Sequence, residues 1–83
     1  MEHGTNPING FKYEVKKRIG VLSEHGDTSK EFNLISFNGA PAKYDLRTWR
    51  RPAGDAARMY KGISLTDEEA RLLYSLLSKE LEL

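Results

Sequence analysis

Between Lys43 and Glu69 the chain reads KYDLRTWRRPAGDAARMYKGISLTDEE, and this stretch limits the fold more than any other. It opens with alternation from Lys43 to Trp49, which fits a strand because successive side chains on a strand point to opposite faces. A Pro/Gly connection over Pro52 to Ala56 leads to a second short strand, Met59 to Leu65, which runs directly into a helix start. In the first strand Tyr44, Leu46 and Thr48 share one face, suited to a core. Lys43, Asp45, Arg47 and Trp49 share the other. A Trp left in solvent beside Lys and Arg on a rigid strand fits a flat anionic ligand. Single-stranded nucleic acid is such a ligand, with bases stacking on aromatics and phosphates pairing with cations.

The rest of the chain extends this pattern on both sides. Residues 1–10, MEHGTNPING, carry turn formers without apolar periodicity and are expected to be a flexible arm, leaving 11–83 as the domain. Phe11 to Leu22 reads as a long strand. Phe11, Tyr13, Val15, Ile19 and Val21 lie on one parity, while Lys12, Glu14, Lys16 and Arg18 form its polar face. Lys17 falls on the apolar parity, which predicts a bulge or an open edge there. Glu24 to Ser29 is a turn cluster, and Lys30 to Asn38 is a strand in which Phe32 and Leu34 alternate with Glu31, Asn33, Ile35 and Phe37. Asn38-Gly39 turns the chain into the next strand, Lys43 to Arg50. Gly62, inside an apolar strand, marks a bend or close backbone approach.

The helix start is the clearest local signal. Thr66 is a good N-cap and Glu69 stands three residues later, forming a capping box, with Asp67 and Glu68 favouring the positive helix end. Ala70, Leu73, Leu76, Leu77 and Leu81 recur at helical spacing, with Leu72 on the flank. That is more leucine than one sheet face needs, which predicts a partner helix. The fold class is therefore α+β: an antiparallel four-stranded meander closed by one C-terminal helix.

Composition bounds the function. With 83 residues there is one small domain, for which dimerisation is a natural way to enlarge the core. The absence of cysteine excludes a disulfide scaffold and a thiolate metal site. No apolar run approaches the roughly 18 residues of a membrane span, and no signal-peptide core opens the chain, so a cytoplasmic protein without membrane partner is expected. His3 and His25 stand alone, no catalytic constellation is visible, and the expectation is a non-enzymatic protein with no metal, cofactor or small-molecule substrate. The net charge is only +1, but residues 43–61 set six cations (Lys43, Arg47, Arg50, Arg51, Arg58, Lys61) against Asp45 and Asp55, a local balance of +4. Local field, not total charge, governs binding to a polyanion.

Each candidate has a plainer reading. Trp49 is an ordinary core residue in many small proteins, Phe37 shares parity with Ile35 and fits a core or interface, and Arg47 beside Asp45 fits a surface ion pair. Lys43, Arg50 and Arg58 are unremarkable singly and form a basic stripe together; Lys16 and Arg18 would widen it.

At Asp45-Leu46-Arg47-x-Trp49 and Lys61-Gly62-Ile63-Ser64-Leu65 the chain resembles the positive cofactor 4 family of single-stranded DNA-binding transcriptional coactivators, in its small bacterial branch. The likeness extends over roughly residues 11–81, through Val21 to Glu24, KEFNLISFNG and the TDEE helix start. It implies a curved four-stranded sheet, a homodimer formed mainly through helices, and single-stranded DNA lying across both subunits without strict sequence preference. It assigns Phe37, Arg47, Trp49 and Lys61 to nucleic-acid contact. Leu72, Leu73, Leu76 and Leu77 are the expected dimer interface. An RNA-binding module of the same shape, and a protein-interaction module using the same aromatic face, are the alternatives. In a bacterium such a protein would lie with the nucleoid.

Overall fold

The computed structural model describes residues 2–6 and 11–83, with side chains from Lys12 onward. Five strands form one antiparallel sheet in chain order: β1 (Glu2–Asn6), β2 (Phe11–His25), β3 (Thr28–Phe37), β4 (Lys43–Arg50) and β5 (Arg58–Leu65). A single helix, α1 (Asp67–Leu81), follows. The meander from β2 to β5 and the helix are those expected from the sequence. Glu2–Asn6 is a correction: the expected arm supplies an edge strand paired with β2, Gly4 opposite Tyr13. The other residues expected in that arm lie outside the described residues.

The turns follow from residues that tolerate positive φ. Asn38 (φ 50°) and Gly39 (φ 78°) leave β3, and the Ala40 amide closes the turn on the Phe37 carbonyl at 2.9 Å. Asn38 also joins β3 to β2, donating its amide to Lys12 O and accepting the Lys12 amide on Oδ1. The turn expected over Glu24 to Ser29 is tighter, because β2 runs on to His25 and β3 begins at Thr28.

Irregularities in β2 decide which side chains face which way. Its register against β3 shifts between Val15 and Lys17, between Arg18 and Gly20, and between Val21 and Ser23. The first is the bulge anticipated at Lys17. The shift also corrects the expected polar face, since Arg18 comes opposite Asn33, on the side of Val15, and reaches Glu31 at 3.4 Å.

The core lies on an unexpected side of the sheet. Val15, Ile35 and Trp49 are fully buried, and Tyr13, Phe37, Ala57 and Met59 pack against them. Glu31, Asn33 and Asp45 are equally buried on this same inner face. The sequence placed the core under Tyr44, Leu46 and Thr48; those side chains are only half-buried, while Trp49 has 0% exposure.

On the outer face Phe32 and Tyr44 stack at 5.8 Å. With Leu65, Ala70, Leu73 and Leu77 they line an open groove between sheet and helix. The helix begins with the anticipated capping box: Thr66 Oγ1 accepts from the Glu69 amide at 3.1 Å, and Glu69 Oε1 accepts from the Thr66 amide at 2.8 Å. It touches only β4 and β5, and none of its residues is buried.

Candidate nucleic-acid interface

Two ion-pair networks on the inner face explain how charges can be buried there. Asp45 accepts from Arg47 Nε and Nη2, both at 2.6 Å, and from Ser64 Oγ at 3.1 Å. Arg47 donates its remaining Nη1 to the Tyr60 carbonyl at 3.1 Å. The four residues Asp45, Arg47, Gly62 and Ser64 thus form one unit across β4 and β5. Gly62 is needed because a Cβ there would lie 1.9 Å from Arg47 Cβ. In the second network Glu31 takes both Nε and Nη2 of Arg51 at 2.9 Å, with Ser29 and Asn33 as further donors. Burial pushes the Glu31 carboxyl up, but the Arg51 bonds, the Ser29 hydroxyl and the Arg51 charge outweigh it and hold the pKa down at about 2. Bidentate Arg–carboxylate pairs with additional donors are the arrangement in which a buried charge is tolerated.

These networks correct the expected exposure of Trp49. Trp49 is no exposed platform. It sits in the core, edge-on to Tyr13 with centroids 5.6 Å apart, and is roofed by the Arg51 guanidinium at 4.7 Å. Arg47 is bound by its carboxylate and lies 5.5 Å from the Phe37 ring. Phe37 itself is half-buried against the core, as its plainer reading held.

The remaining cations stand in solvent. Arg50 and Arg58 are opposite one another on β4 and β5, and Lys61 follows on β5. Arg50 pairs with Asp27 at 3.0 Å; that bond first, and the Tyr60 hydroxyl second, raise its pKa above the ordinary value. Among the described residues Arg58 and Lys61 join no ion pair. Lys43 is exposed at the start of β4, opposite Ile35. Lys16, paired with Glu14, and Arg18 stand apart on β2. Parity along the strand does not single out Tyr60, yet it is 45% exposed. The signal was Gly62, whose close approach to Arg47 accompanies the irregularity that displaces Tyr60.

Leu72, Leu73, Leu76 and Leu77 do not enter the core of this chain; they are 61%, 37%, 56% and 47% exposed. No helix among the described residues is long and apolar enough to cross a membrane, and no group of His, Asp or Glu among them is placed to hold a metal ion.

The described residues thus form an open antiparallel sheet with one trailing amphipathic helix and with cations displayed on its strands. The family model for Transcriptional Coactivator p15 (PC4) matches residues 25–76, from the end of β2 through most of α1, and the chain belongs to that family. It is also 44% identical over 69 residues to an uncharacterized protein of Treponema pallidum (strain Nichols), an alignment covering 82% of this chain and 78% of that protein. The match includes both ion-pair networks and the Arg50–Lys61 region.

Proposed function

We propose that this chain is a homodimeric module that binds single-stranded DNA without sequence preference, acting in transcription regulation, replication or repair. The observation that carries the reading is the group of exposed cations on β4 and β5: Arg50 and Arg58 face each other across the strands, and Arg58 and Lys61 have no carboxylate partner among the described residues. A cation with no internal partner is free to displace counterions from a phosphate backbone, the chief source of sequence-independent affinity. Lys43 on β4 and Lys16 and Arg18 on β2 are further cations of the proposed binding surface, with Lys43 and Arg18 on the sheet face opposite to Arg50 and Arg58. Phe37 and Arg47 support the surface from the end of β3 and the middle of β4. Trp49 contributes only as core. The family's description as a transcriptional coactivator agrees with a role on DNA in the cytoplasm or nucleoid.

The dimer belongs to the same reading. The exposed leucines of α1 and the groove lined by Phe32 and Tyr44 make an apolar surface of the kind that marks a protein–protein contact. Titration with labelled oligo-dT at two salt concentrations tests the binding, with unlabelled duplex and matched RNA as competitors. Four phosphate contacts give a log–log salt slope of about −3, at about 0.7 per contact. Binding insensitive to salt would point instead to a protein partner, and displacement by RNA at lower concentration than DNA to an RNA-binding module.

A further inference from the structure

We propose that Tyr60 is a stacking platform for an unpaired base, with Arg50 and Arg58 taking the phosphates on either side; this rests on the single-strand binding argued above. The register between β4 and β5 explains the position of the ring. Arg47 is opposite Gly62 and Trp49 is opposite Met59, so Thr48 alone on β4 faces two residues, Tyr60 and Lys61, on β5. That is a β-bulge, and bulges re-aim side chains out of the regular alternation. The regular neighbour Met59 turns inward onto the core beside Trp49, while Tyr60 stands in solvent.

The bulge is held from the sheet side. Arg47, clamped on Asp45, donates Nη1 to the Tyr60 carbonyl, and Ser64 completes the clamp. Arg47 is therefore a positioning residue for Tyr60. An aromatic ring exposed in water gains nothing there. One whose backbone is held by Arg47, on the strand that also carries Arg58 and Lys61, loses little entropy when a base stacks on it. Any base can stack, because every base has a π-face, so the site carries no sequence preference. A duplex, whose bases are already stacked on one another, offers no free base to the ring.

The test compares oligo-dT with a backbone of equal length lacking bases, for the wild type, Tyr60→Leu and Tyr60→Phe. Tyr60→Leu is expected to weaken oligo-dT binding about 5- to 150-fold and to leave the abasic strand unchanged, while Tyr60→Phe keeps most of the affinity. Equal affinity of wild type and Tyr60→Leu for oligo-dT overturns the platform and leaves the binding reading standing. A wild type that binds neither strand at low salt overturns both. Should Tyr60→Leu melt early, photocrosslinking of the wild type to oligonucleotides bearing 5-iodouracil decides: adducts on the Tyr60 peptide support the platform, and adducts confined to other peptides refute it.

Discussion

The two faces of the sheet reverse the usual relation between polarity and burial. The inner face buries Glu31, Asn33 and Asp45 beside Trp49, whereas the outer face and the helix leave Leu72, Leu76 and Ile63 more than half exposed. The difference shows that burial here follows satisfaction. Each inner carboxylate meets a guanidinium fork and at least one further donor within the chain, so it can leave water. Each outer leucine, worth about 1.5–3 kcal/mol when fully covered, finds too little of its own chain to cover it. The inner face is complete in one chain; the outer face is the one that the proposed dimer would complete.

The largest expected effect breaks the inner face. Trp49→Ala leaves a cavity among Val15, Ile35 and Tyr13 and should cost about 3–5 kcal/mol, a large share of the roughly 5–15 kcal/mol of a small domain. Urea denaturation followed by circular dichroism measures it, and an unchanged midpoint would return Trp49 to the surface. The outer face is broken by Leu76→Glu. In an isolated chain this substitution is nearly silent, since Leu76 is exposed, but in a dimer it should weaken association at least about 100-fold, or ~3 kcal/mol. Sedimentation of the variant as a folded monomer is the expected outcome; an unaltered dimer places the interface elsewhere.

A smaller effect comes from acid. The Glu31 pKa is depressed to about 2 in the fold, so its contribution is complete above the ordinary carboxylate pKa and is lost as pH falls from about 4.5 toward 2. Allowing for solvent at the partly open Arg51, the loss is on the order of 2 kcal/mol. Thermal melts between pH 5 and pH 2.5 should show this decline, and Glu31→Gln should be less stable at neutral pH with a flatter acid dependence (equal slopes would mean that Glu31 is not the titrating group). Smallest is Arg58→Ala, which should leave stability alone and reduce the salt slope of oligo-dT binding by about 0.7, at a cost below about 1 kcal/mol. An unchanged slope removes Arg58 from the phosphate contacts.

Much of the secondary structure was legible because its signals are local. The capping box at Thr66–Glu69 and the leucine spacing place α1, and alternation places β4 with its observed ends. Lys17, out of phase with its neighbours, betrayed a bulge. What alternation cannot say is which of two faces is buried. That depends on Glu31 meeting Arg51 twenty residues later, and on Asp45 meeting Ser64 nineteen later. Without those pairings Asp45, Arg47 and Trp49 read as one charged, solvated face that carries the Trp outward with it. Tyr60 was hidden for a related reason, since parity counted along β5 fails at a bulge that only the pairing with β4 reveals.

The central claim, that two chains complete one another and share a strand, is tested most directly by the stoichiometry of the complex. Native mass spectrometry of the protein with oligo-dT of increasing length should give two 9.4 kDa chains on one oligonucleotide, with affinity rising steeply until the strand spans both sheets. One chain per oligonucleotide at every length, with a free protein that is monomeric at micromolar concentration, would contradict it.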